Sequence, residues 1–377
     1  MSPAIRRMTA AALTLACCAA PALADEPKAA PRPIIEIAVL LDTSGSMDGL
    51  INQARAKIWS IINQTAAAKK DGLAPDLRVA LYEYGKQSVP ASEGFVRQIV
   101  PLSDDLDKIS AELFALTTNG GEEYCAVAIR KAVEQLSWTP GDNYQAIFIA
   151  GNEPFSQGPE AFEQACRLAI SKGIVVNTIH CGSEQDGING KWKDAARLAD
   201  GQAINIDHNA KSVAIVAPQD GRLEELSRKL NETYLAFGDQ GEKLKRRQQE
   251  QDKKAESAAG GAAPERARAK AGRGYRNDEW DLVDAVQAGK ADVATVEEEA
   301  LPDEMKGMDV EKRKAFVAEK SAERTAVQDE IKKLSAARQT FLVEEQKKQV
   351  GDGAETFDSA VREILKQQLA KKGYVVE

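Results

Sequence analysis

Asp42, Ser44 and Ser46 concentrate the most chemistry in the shortest span, in the order Asp42-Thr43-Ser44-Gly45-Ser46. One carboxylate and two hydroxyls at alternate positions of a short turn converge as hard oxygen donors. Such a set suits Mg²⁺, Mn²⁺ or Ca²⁺ and not a soft metal. A nucleophilic role for either serine needs a histidine base. The chain has only His180 and His208, neither in a nucleophile-elbow context.

The turn needs a rigid frame, and its flanks supply one. Ile34 to Leu41 is almost uninterrupted apolar and rich in β-branched residues, as a strand buried on both faces reads. After Gly49, Ile51, Ala54, Ile58, Ile61 and Ile62 recur at helical spacing. A strand, a polar loop and a helix open a βα unit, and ligands of such folds bind at the carboxyl ends of the strands. The pattern continues with strands at 77–84 and 95–102, whose short connection predicts an antiparallel hairpin. Ser103 and Asp104 are expected to cap a helix running to about Leu116. Helices near 125–136, 159–171 and 192–198 then alternate with strands at 144–150, 173–180 and 202–206, and a helical region spans 212–237. Alternation of this kind predicts a doubly wound, mostly parallel α/β sheet with helices on both faces.

With Asp-x-Ser-x-Ser between that strand and that helix, residues 34–238 resemble the von Willebrand factor type A (vWA) family. The resemblance implies a six-stranded sheet with one antiparallel edge strand and a metal-ion-dependent adhesion site on its rim. Asp42, Ser44 and Ser46 would be the first-loop ligands. The second loop of relatives reads Gly-Gly-Thr; here Gly120-Gly121-Glu122-Glu123 puts Glu122 in the place of Thr, with Thr117 or Thr118 able to substitute only if the loop shifts. The third reads Thr-Asp-Gly; here Gly151 stands for the Asp, leaving Asn152 or Glu153 to supply an oxygen. Glu122, longer than Thr, would reach the position that a partner's carboxylate takes to complete the coordination. The family implies a non-catalytic, metal-assisted protein-interaction or adhesion module.

Other readings are weaker. Leu40-Leu41-Asp42-Thr43-Ser44 is similar to an aspartic-protease signature, but that chemistry needs two carboxylates sharing a proton, and no second copy exists. No glycine-rich phosphate loop follows a strand, so nucleotide binding is unsupported. His180-Cys181 offers too few ligands for zinc. The formal charge of −8 gives no basis for nucleic-acid binding.

The amino terminus reads as an export signal over residues 1–24: Arg6 and Arg7, an apolar core from Met8 to Ala20, and Ala22-Leu23-Ala24 as cleavage site. Thr14 stands where a lipoprotein signal before Cys17 would have Leu. No later apolar run reaches the roughly 20 residues of a membrane span, so the expected location is periplasmic or secreted. Cys125, Cys166 and Cys181 remain after cleavage, enough for one disulfide and one free thiol, or for three small buried residues.

Beyond Gly238 the composition changes. Residues 239–274 are charged, then Ala/Gly-rich with Arg266, Arg268, Lys270 and Arg273, which predicts a flexible linker. Residues 275–377 predict a helical region. Val327, Ile331, Leu334 and Phe341 form a short coiled-coil-like seam with Arg338 on it, and Phe357, Val361, Ile364, Leu365 and Leu369 a final amphipathic helix. These helices are candidates for self-association, the basis of an alternative reading as a structural envelope protein.

Overall fold

The computed structural model describes residues 32–48, 51–206, 215–257, 261–350 and 357–376. The expected export signal lies outside them. Strand β1 (Ile34–Asp42) is the third strand of a six-stranded sheet. It runs parallel to β3 (Asp76–Tyr84) on one side and β5 (Tyr144–Gly151) on the other, with Asp42 opposite Tyr84 and Leu41 opposite Ala150. β6 (Val175–Cys181) and β7 (Ala203–Ile206) extend the sheet beyond β5, also parallel. β4 (Val96–Ser103) closes the other edge antiparallel to β3, giving the order β4-β3-β1-β5-β6-β7. The six-stranded, mostly parallel sheet with one antiparallel edge strand is therefore as expected.

Alternation along β1 divides the core. Ile35, Ile37, Val39 and Leu41 face one apolar cluster and Ala38 and Leu40 the other, which is why the strand reads as a continuous apolar run. The second cluster is completed by α3 (Cys125–Gln135), α4 (Phe162–Ser171) and α6 (Trp192–Leu198), the last preceded by the short α5 (Glu184–Asn189). The first receives Trp59, Ile61 and Ile62 from α1 (Ile51–Ala66), and Leu106, Ile109 and Leu113 from α2 (Leu106–Ala115). Asp105, not Ser103 or Asp104, caps α2 by accepting from the Lys108 amide. The 212–237 region contains α7 (Asp220–Asn231).

The structure corrects the expected linker. Residues 239–274 form α8 (Gly241–Ser257) and α9 (Ala262–Ala271), and α9 lies against α1, α7 and α8 as part of a second helical layer. Two of its basic residues are not solvated. Arg266 and Lys270 are 1% and 0% exposed. Arg266 donates to Asp252 and Asp107 at 2.6 Å each, and Lys270 to the other Asp252 oxygen at 2.6 Å. Tyr275 completes the set on Asp107 at 2.8 Å. Two acids and two bases cancel, so the group can be buried, although each charge alone could not be. The buried stripe of α8 is Gln248, Gln251, Asp252 and Ala255, a helical period written in polar residues that hydropathy does not reveal.

The apolar seams beyond 275 are likewise turned inward. α10 (Leu282–Gln287) carries Leu282 and Val283 into a small cluster with Leu235, Met305 and Val317. Val327 and Ile331 of α11 (Val310–Val350) join the main core, and Arg338 pairs with Asp220 and Glu265. α12 (Phe357–Ala370) buries Val361, Ile364, Leu365 and Leu369 in the same core, and packs against α1 and β7. Finally β8 (Tyr374–Val376) pairs antiparallel with β2 (Ala68–Lys70), and the Tyr374 hydroxyl reaches the Ile34 carbonyl at 2.9 Å. Residues from Arg32 onward thus form one compact unit. The seams expected to support self-association are used within the chain.

Among the described residues no helix is long and apolar enough to cross a membrane. Cys125, Cys166 and Cys181 are all buried and free, as three small core residues and not as a disulfide.

Candidate functional site at the carboxyl end of β1

Asp42 is the last residue of the central strand and is fully buried. One carboxylate oxygen accepts the Ser44 amide at 2.8 Å. The other, Oδ2, is buried without a hydrogen-bond partner. From Ser44 a line of oxygens leads outward: Ser44 Oγ lies 2.9 Å from Ser46 Oγ, and Ser46 donates to Asn152 Oδ1 at 3.0 Å. Burial is the first cause of a rise in the Asp42 pKa to about 7; the Ser44 hydrogen bonds oppose it, and the Glu123 and Glu153 charges add to it.

Backbone and core contacts hold the turn. A single 3-10 turn, Gly45–Met47, sends the Met47 side chain into the main core. Thr43 ties the loops together: its amide donates to the Tyr84 carbonyl and its own carbonyl accepts from Asn119, both at 2.9 Å. The Thr43 hydroxyl reaches Glu83, which is paired with Arg97 and Lys86. The structure therefore places Asp42, Ser44, Ser46 and Asn152 together. Glu153, next in the loop after β5, is close enough to repel Asp42 and offers its carbonyl to Trp192 Nε1 at 2.9 Å.

Glu122 is exposed and accepts from Gln157 at 3.1 Å, while Glu123 is 6% exposed and meets Asp42 and Ser44 at Gly85. The loop approaches the end of β3 so closely that a Cβ at Gly121 would lie 2.3 Å from the Gly85 carbonyl oxygen. After that crossing the chain turns into α3 with Glu123, not Glu122, on the inner side. Thr117 and Thr118 do not replace it, being engaged with Lys86 and Asp48.

The glycine at 151 also has a physical reason. A Cβ there would stand 2.3 Å from the Tyr84 hydroxyl and 3.1 Å from Asp42 Oδ2. Tyr84 donates to the Ala150 carbonyl at 2.9 Å and fills the space that an aspartate would need. His180 has a supporting part that its sequence context did not show. Its ring nitrogens lie 2.8 Å from Asn205 Oδ1 and 3.3 Å from the Asn152 carbonyl, so it steadies the third loop.

Carboxylate, hydroxyl and amide oxygens around an unpartnered buried carboxylate oxygen are a donor set that fits a hard divalent cation. Among the described residues no three His, Cys, Asp or Glu side chains form a metal-binding group by themselves, so hydroxyl and amide oxygens would have to contribute.

The strand order, with Asp-x-Ser-x-Ser at the carboxyl end of the central strand, defines a vWA-like α/β fold. No family model and no curated protein matches the chain. Among solved structures it is similar to the conserved hypothetical protein BatB from Bacteroides thetaiotaomicron, at 18% identity over 46% of this chain and 90% of that one, with a TM-score of 0.34. It is similar to the SpRpn10 VWA domain at 18% identity over 46% and 88%, TM-score 0.35. A third is proximal thread matrix protein 1 from the mussel byssus with zinc occupied MIDAS motif, at 14% identity over 48% and 43%, TM-score 0.36. Each likeness covers under half of this chain, and the fold rests on the strand order itself.

Proposed function

We propose that this chain is an exported, non-catalytic interaction module whose rim holds a divalent cation that assists the docking of a protein partner. The observation that carries the reading is Asp42 Oδ2, buried without a hydrogen-bond partner at the inner end of the Ser44–Ser46–Asn152 line. An unpaired buried carboxylate is costly, and a bound cation is one way to offset that cost. Asp42, Ser44, Ser46 and Asn152 would hold the ion, with Glu153 at the margin. When bound, the ion supplies a fixed positive centre at the surface. Export rests on the segment over 1–24. Against a serine hydrolase, both His180 ring nitrogens face Asn205 and the Asn152 backbone, so among the described residues no histidine base stands beside Ser44 or Ser46.

Calorimetric titration of Mg²⁺, Mn²⁺ and Ca²⁺ into the metal-stripped protein tests this reading, beside Ser44→Ala/Ser46→Ala. Saturable binding by at least one ion, lost in the double variant, is expected. Absence of saturable binding in the unaltered protein would overturn the proposal.

A further inference from the structure

Glu123 sits in the turn before α3, only 6% exposed, with its side chain against the same stretch of backbone at Gly85 as Asp42 and Ser44. A Cβ at Gly85 would meet its Cγ at 3.0 Å and Asp42 Oδ1 at 2.7 Å, so both acids are pressed against the same backbone. Among the described residues no Lys, Arg or His forms an ion pair with Asp42, Glu123 or Glu153. The contrast lies within the same molecule. Each of the other deeply buried acids, Glu36, Glu83, Asp107, Asp252 and Asp281, has a basic partner. Two buried acids against one glycine, one of them with an oxygen that nothing satisfies, lack only a positive charge between them.

We propose that Glu123 is a direct ligand of the cation, so that the coordination begun by Asp42, Ser44 and Ser46 is completed from within the chain. The inference rests on the reading of the rim as a cation site. Its consequence concerns the partner. Asp42 and Glu123 together neutralise a divalent ion, and Glu153 with the exposed Asp48 and Glu122 leaves the mouth negative. A docking partner then presents a cationic or hydrogen-bond-donating side chain there, and not the carboxylate expected from the sequence.

Mn²⁺ is the probe, read by calorimetry and by the water-proton relaxation of the bound ion, in the full protein and in Glu123→Gln, Glu123→Ala and Glu122→Gln. Thermal unfolding checks that each variant is folded, and Glu123→Gln keeps the shape of the buried side chain. Loss of a ligating carboxylate should weaken Mn²⁺ binding at least about tenfold in Glu123→Gln, while Glu122→Gln stays within about twofold. The ion in Glu123→Ala should carry one more water, displaceable by acetate, and the ion in the unaltered protein should ignore acetate. Equal Mn²⁺ affinity in Glu123→Gln and the unaltered protein would remove this inference alone, as would acetate displacing water from the unaltered protein. Failure of the unaltered protein to bind Mn²⁺, Mg²⁺ or Ca²⁺ would remove the cation reading and this inference together.

Discussion

Gln368 of α12 and Asn177 of β6, 191 residues apart, form a reciprocal amide pair: Gln368 Nε2 donates to Asn177 Oδ1 at 2.8 Å and Asn177 Nδ2 to Gln368 Oε1 at 3.1 Å. The Gln368 oxygen also accepts the Tyr144 hydroxyl at 2.6 Å. All three residues are buried. The last helix is thereby keyed to two strands of the central sheet.

A chain ending at Gly238 should therefore fail to fold cooperatively. It loses Val361, Ile364, Leu365 and Leu369, and burial of each such side chain contributes about 1.5–3 kcal/mol. Their combined loss is comparable with the whole stability of a typical domain, about 5–15 kcal/mol. Leu365→Ala alone should cost about 2–5 kcal/mol in urea unfolding. A sharp, reversible transition in the truncated chain would contradict this.

Gly151→Asp should not restore a stronger metal loop. The new Cβ collides with the Tyr84 hydroxyl, and overpacking of this kind costs about 1–3 kcal/mol. Tyr84→Phe in the same chain removes the colliding oxygen and should recover part of the loss. Denaturant midpoints of the two single variants and the double variant measure the coupling.

Arg266→Met leaves Asp107 and Asp252 buried with one base between them. Breaking a buried pair from one side costs about 3–5 kcal/mol, and the cost should vary little between low and high salt because the group is shielded from solvent. Arg273→Met, at an exposed position of the same basic stretch for which no ion pair is seen among the described residues, should stay within about 0.5 kcal/mol.

Arg324 Nη1 bridges Asp281 and Asp284 at 2.6 Å each. Burial first, and then the Asp281 charge, raise the Asp284 pKa to about 6, against the pull of Arg324. The folded state therefore holds this proton more tightly than the unfolded chain does. The resulting stability is fullest below about pH 4 and is lost as pH rises through 6. Asp284→Asn cannot titrate, so its stability relative to the unaltered protein should improve between pH 4 and 7, by on the order of 2 kcal/mol. Parallel melting curves across that range would show the pKa to be unshifted.

Residues 34–46 announced their structure locally. A run of β-branched apolar residues can be satisfied only between two neighbours of a sheet, and the polar turn after it can lie only at the sheet's rim. That much of the fold, and the meeting of Asp42 with Ser44 and Ser46, follow from adjacent residues whose backbone geometry is nearly set by their own types. Three matters needed the tertiary structure. The close crossing of Gly121 over Gly85 decided that Glu123 and not Glu122 turns inward, because one residue of register reverses which side faces the site. Partners more than a hundred residues away decided whether Arg338 and Arg266 were solvated charge or core: Asp107 neutralises Arg266 from α2, and Asp220 meets Arg338 from α7. The seam of α12 identified an amphipathic helix, but periodicity records only that a face is apolar. What covers that face is settled by chain closure, and here it is the sheet of the same molecule.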